Sequence, residues 1–160
     1  MITQPPAAAP PALPRGIRLH NPGNIQHSAT VWVGQADAQP DARFVAFAEP
    51  YFGIRAMMVG LRTHWHRGAH TLAALVAIWA PPVENDTPAY VANVCRWLTG
   101  ALNRPIAADT ALDLADPATL VALAQSITKE EQGHPPAGMP PCWYPDALFR
   151  QAATAVIAGH

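Results

Sequence analysis

The chain has 160 residues, which suits one domain of roughly 100–200 residues able to bury a core without disulfide or metal staples. Half of the residues are hydrophobic and only 13% are charged, against about 25% in an average soluble domain, so the surface must be rich in Ala, Pro, Ser, Thr and amides. Formal net charge is -1, and the ten basic residues, nine of them Arg, are scattered; with no Lys/Arg cluster, nucleic acid and anionic membranes are not expected partners.

Residues 1–14 are the first element. The stretch 3–14 holds five of the eighteen prolines and no charge, so it reads as a tail or linker ahead of one domain over 15–160. The N-terminus lacks the basic start and apolar stretch of a signal peptide, so another system would have to deliver the protein to a cell wall. From Arg15 to Pro50 the signals are turns and short extended pieces. Asn21-Pro22-Gly23-Asn24 is a strong turn sequence, and Val31–Val33 and Phe44–Phe47 are predicted as short strands around a polar loop.

After Pro50 the period becomes helical. Ile54, Met57, Met58, Leu61 and Trp65 fall on one face of a first long helix. A second helix is predicted over Thr71–Trp79, ending at Pro81-Pro82. Its neighbourhood contains the longest apolar run, Leu72–Ala80, which is well short of the ~20 residues that cross a bilayer, so no membrane span is expected. A third begins behind Asp86-Thr87, with a buried stripe of Tyr90, Val91, Val94 and Leu98. A fourth runs over Pro117–Gln132, with Asp116 as N-cap and Gly133 as stop, and a fifth over Pro145–Ala158 packs Leu148, Ala152, Ala155 and Val156. The fold class is therefore mainly α (α+β): helices with a small β or loop subregion near the start.

The fourth of these helices carries a misplaced carboxylate. Its apolar stripe is Leu120, Leu123, Ala124 and Ile127, and at ~100° per residue Glu131 falls within about 30° of the stripe's centre while Glu130 is rotated aside. A carboxyl at the inner end of a buried face is costly unless protonated or paired. Two readings stand on periodicity alone: the doublet Glu130-Glu131 is a solvated helix end, or Glu131 has the raised pKa that a glycosidase requires of its general acid. The negative end of the helix dipole would push that pKa further up.

Other residues carry weaker signals. His64, His66 and His70 lack the spacing and carboxylate partner of a zinc site, and no CxxC pattern occurs, so neither a metal nor a cofactor is expected. Cys95 and Cys142 are compatible with a disulfide or with two buried free thiols. Trp65 and Trp79 are predicted in the core, whereas Trp32 and Trp143, in irregular segments, are predicted at a cleft.

Several strings resemble a family of phage-encoded virion and lysis proteins whose sequences open with an RGIRNNNPGNI-like motif. The matching residues are Arg15–Arg18 followed by Asn21–Ile25, then Trp32–Gln35, Phe44–Met57, Trp79–Tyr90 and Glu131-Gln132-Gly133. At the last string the family reads His-Glu-Asn-Gly, so this chain departs from it with Glu130 in place of His. The motif order is similar to that of a circularly permuted lysozyme-like domain of the lytic transglycosylase and glucosaminidase type. In that order the helix bearing the catalytic Glu comes late and the Asn turn comes first.

The resemblance implies a lysozyme-like domain that cleaves the glycan backbone of peptidoglycan between N-acetylmuramic acid and N-acetylglucosamine. Glu131 matches the catalytic acid, Tyr90 the tyrosine lining the sugar cleft, and Asn24 and Ile25 the turn facing the catalytic helix, with Asn21 in the same motif and Trp32 as a further substrate-binding residue. A hydrolase also needs a second carboxylate, roughly 5–5.5 Å away if retaining or 6.5–9.5 Å if inverting. Glu49 is the preferred candidate, and Glu84, Asp37, Asp41 and Asp86 are the others. A lytic transglycosylase needs none. The expected partner is the peptidoglycan strand, acted on by a monomer held in a virion, or in host cytoplasm before release to the periplasm or wall. The opposing reading is a non-catalytic virion or wall-binding protein that retains the fold.

Overall fold

The computed structural model describes residues 11–160; the first ten residues of the expected tail lie outside them. The described chain is mainly helical. After the four-residue α1 (Arg15–Arg18) come α2 (Pro50–His66), α3 (Leu72–Trp79), α4 (Thr87–Leu102), α5 (Pro117–Gln132) and α6 (Asp146–Ile157).

Local chemistry sets most of these boundaries. Thr71, Asp86 and Asp116 each accept the N–H three residues on (Ala74, Ala89 and Thr119), which satisfies a donor that the first helical turn leaves open. Proline opens α2, α4 and α5, where its missing N–H costs nothing. Gly133 ends α5 at φ 73°, a conformation that favours glycine.

Helix α5 is the axis of the molecule and packs against α4, α6, α2 and α1. The predicted stripe is buried, but so are Val121, Ala122, Gln125, Ser126 and Thr128 between its members. The polar ones are paired locally: Gln125 Nε2 donates to Asp146 Oδ1, and Thr128 Oγ donates back to the Ala124 carbonyl. Helix α2 packs its apolar face of Ile54, Met57, Met58 and Leu61 chiefly against α6. There Phe149, fully buried, occupies the centre that the sequence pattern assigned to Leu148.

The predicted strands do not form. Val31 and Val33 are exposed, at 85% and 59%, and the 20–50 region is held by isolated antiparallel bridges, Gln26 to Phe44 and Gln35 to Phe47. Instead of alternating strand faces, the region uses side-chain clamps. Asn21, wholly buried, donates to the carbonyls of Ile25 and Val45 and accepts from the Ile25 N–H, tying the 21–25 turn to the Phe44–Phe47 segment. Gly53 lets α2 approach this turn, since a Cβ there would sit 1.8 Å from the His20 carbonyl oxygen. The cysteines are free thiols. Among the described residues no helix is long and apolar enough to cross a membrane.

Candidate active site

A cleft of about 890 Å3 runs between the 20–44 region, the outer face of α2 and the α3–α4 connection, and Glu131 opens into it from the last turn of α5. It is lined by Asn24, Ile25 and Trp32 from the 20–44 region and by Trp79, Glu84 and Asn85 from the end of α3 and the connection to α4. Glycine shapes the floor: Cβ atoms at Gly23 and Gly60 would stand 2.9 and 3.3 Å from the Trp79 ring, so the indole lies across both. Trp79 therefore packs against the core with one side while contributing to the cleft, rather than being wholly internal as predicted.

Both oxygens of Glu131 are held. Asn24 Nδ2 donates to Oε2 at 2.7 Å and the Tyr90 hydroxyl donates to Oε1 at 3.1 Å. Burial is the largest influence on this carboxyl and raises its pKa. The two hydrogen bonds pull it back in part, and Glu130 pushes it further up, leaving it above its ordinary 4.5. Burial, with the neighbouring Glu131 charge, holds the Tyr90 phenol far above its usual range, so it stays a donor.

The hydrogen-bond chain continues behind Glu131. Gln132, itself buried, donates from Nε2 to the Pro22 carbonyl at 3.0 Å and to Asn24 Oδ1 at 3.1 Å. Because Pro22 offers only an acceptor, the Gln132 amide must present its NH2 here. That in turn fixes the Asn24 carbonyl toward Gln132 and the Asn24 NH2 toward Glu131. Gly16 makes the space: a Cβ on it would lie 2.2 Å from Gln132 Nε2 and 2.6 Å from the Asn21 carbonyl oxygen. Asn24 adopts φ 51°, a left-handed conformation that Asn tolerates better than most residues. Gln132 was absent from the sequence-based site. Its trace there is its place in the Glu131-Gln132-Gly133 string, to which no role was attached.

Four sequence-based expectations need correction. Glu49 is exposed at the N-terminus of α2, where it precedes the first helical turn, and is not among the cleft-lining residues. Tyr90 does not line the cleft; it is 7% exposed and reaches the site only through Glu131. Trp143 is buried and donates its indole N–H to the Gly133 carbonyl at 2.9 Å, bracing the end of α5 instead of lining the cleft. Asn21 is likewise behind the wall and shapes the turn, whereas Asn24, Ile25 and Trp32 do face the cleft.

The doublet also resolves. Glu130 accepts from Asn93 Nδ2 at 3.1 Å and lines a separate depression with Trp97 and Lys129, so the two carboxyls face different surfaces. The other carboxylate on the cleft wall is Glu84, bound by both oxygens to Arg43 Nη2 at 2.9 and 2.8 Å. Asp86 is spent capping α4, and Asp41 accepts the N–H groups of Arg43 and Phe44. His64 lines the cleft while His66 and His70 pack on the Trp65 ring, and no group of three metal-ligating side chains occurs among the described residues.

Comparison with known proteins points to a phage protein. The similarity is to Protein P5 of Pseudoalteromonas phage PM2, 37% identical over 81 residues, which cover 48% of this chain and 51% of that protein. The chain thus spans about half the length of the curated relative it matches. No family model matches it.

Proposed function

We propose that the chain is a peptidoglycan-cleaving glycosidase of lysozyme-like, circularly permuted organisation, with Glu131 as its general acid. One observation carries this reading. A carboxyl whose pKa is raised by burial sits at the edge of a large cleft, with both oxygens fixed by donors from distant parts of the chain. The contact between the end of α5 and the 21–25 turn joins residues 107 positions apart.

A neutral Glu131 would protonate the departing glycosidic oxygen as the C1–O bond breaks, with the positive charge spreading onto the ring oxygen. What captures C1 depends on a second group. Glu84 is tied to Arg43 and Glu49 is elsewhere, so the wall provides no unpaired second carboxylate among the described residues. This favours the lytic transglycosylase course. The C6 hydroxyl of the muramic residue bonds to C1 and its proton returns to Glu131, giving a 1,6-anhydro end without consuming water. Tyr90 and Asn24 orient the carboxyl in both protonation states, and Trp32 and Trp79 offer apolar surfaces to sugar rings.

The test is clearing of purified cell walls across a pH range, followed by mass spectrometry of the released fragments. Anhydro ends are expected, and reducing ends would indicate hydrolysis instead. No clearing at any pH would favour a non-catalytic virion protein that shares the fold.

A further inference from the structure

The cleft is charged differently from the chain that builds it. The whole chain carries -1, yet the cleft wall places Arg15, Arg43 and Arg67 against two carboxyls, Glu84 and Glu131. Glu84 is already committed to Arg43 by both oxygens, and Glu131 is engaged by Asn24 and Tyr90. Arg15 and Arg67 are exposed and make no ion pair with any described residue. Residues 1–10 contain no acidic side chain that could supply one.

Arg15 is nonetheless a placed group. Its guanidinium carbon lies 3.8 Å from the centroid of the Phe44 ring, and that of Arg43 lies 5.2 Å from the same centroid. Asp41 is close enough to feel Arg15, but turns its Oδ1 to the backbone N–H groups of Arg43 and Phe44. Arg67 caps the far end of α2, beside Thr63 and His64 on the same wall.

A wall polymer presents two chemistries. Its N-acetylated glycan is neutral and offers these cations only weak acceptors. Its stem peptides carry carboxylates, which accept paired N–H bonds from a guanidinium. We infer that Arg15, with Arg43 beside it over Phe44, and Arg67 at the far end of α2 are carboxylate-binding positions along the cleft for the stem peptides. The preferred substrate is then the peptide-bearing strand, in preference to a neutral N-acetylated glycan such as chitin. This rests on the reading of the cleft as a glycan site.

The test separates binding from cleavage with the Glu131→Gln variant of the full chain, sedimented with insoluble sacculi. One batch is native, and a second has its stem carboxylates converted to amides with carbodiimide and ammonia. Native sacculi are expected to bind roughly tenfold more tightly than amidated ones, with the difference shrinking in high salt. Adding Arg67→Gln or Arg15→Gln should weaken binding to native sacculi several-fold and leave binding to amidated sacculi unchanged. Arg67 makes no side-chain hydrogen bond with a described residue, so its loss should not disturb folding. Equal binding to the two batches, or no binding to either, overturns the inference. If wild-type protein clears native and amidated walls alike while the variant binds both alike, the subsite is refuted and the glycosidase reading stands. If the variant binds native sacculi selectively but wild-type protein clears neither, the subsite stands as a wall-binding device and the glycosidase reading fails.

Discussion

Gln132 Nε2 donates to Asn24 Oδ1 at 3.1 Å, and this contact decides which end of the Asn24 amide faces Glu131. With its carbonyl occupied, Asn24 can only present NH2 to the carboxyl, at 2.7 Å. The key carboxyl is therefore oriented by a residue that never touches the cleft.

Removing that donor should move the pH profile in a defined direction. The Asn24 bond lowers the pKa of Glu131 against the effect of burial, so Asn24→Gly frees the pKa to rise. Glycine accepts the φ of 51° without strain. Wall-clearing activity should fall roughly tenfold through lost orientation, while its alkaline limb shifts to higher pH. Gln132→Leu should shift the limb the same way by releasing the Asn24 amide. A limb that stays put, or moves to lower pH, would contradict the assignment.

Gly16 should be intolerant although it sits in a helix of only four residues, because it is buried. An alanine methyl would strike Gln132 Nε2 and the Asn21 carbonyl oxygen, and backbone cannot yield as a side chain does. Gly16→Ala is expected to cost about 1–3 kcal/mol in denaturant unfolding and to reduce activity by displacing Gln132. Gly100→Ala in α4 meets nothing within 4 Å and is the matched control, expected to be neutral or slightly stabilising.

Glu131 should be a burden on stability above its folded pKa. The native state keeps a proton that the unfolded chain loses near 4.5, so the stability due to the neutral carboxyl is complete below that value and is lost as pH rises through the raised folded value. Glu131→Gln removes this dependence while retaining an acceptor for Asn24. Its melting temperature should match wild type near about pH 4 and exceed it near about pH 8. A constant difference across pH, or one of opposite sign, would contradict this.

Glu49 should be dispensable. Glu49→Gln alters an exposed helix-start residue outside the cleft and should leave clearing activity within about twofold of wild type. A larger loss would return Glu49 to consideration as the second carboxylate.

The sequence was most legible where single residues impose local geometry. Asp116, Pro117 and Gly133 mark the bounds of α5, and Asp86 and Pro88 the start of α4, because caps and prolines act without tertiary help. Glu131 was found by periodicity, although α5 turns out to be buried on several sides, so the stripe alone does not explain its position. The site's support was less legible. Gln132 and Trp143 act through hydrogen bonds to the Pro22 and Gly133 carbonyls, contacts that leave no period in the chain. The strand prediction at Val31–Val33 failed because β-branched residues there are exposed and meet no partner strand. The four-residue α1 is too short to show a helical repeat.

The most direct test of Glu131 as general acid is release of soluble muropeptides from purified sacculi by wild-type protein and by Glu131→Gln, with folding of the variant verified by its melting curve. Wild type is expected to release 1,6-anhydro fragments and the variant roughly a hundredth as much or less. A folded variant releasing fragments at the wild-type rate would contradict the assignment.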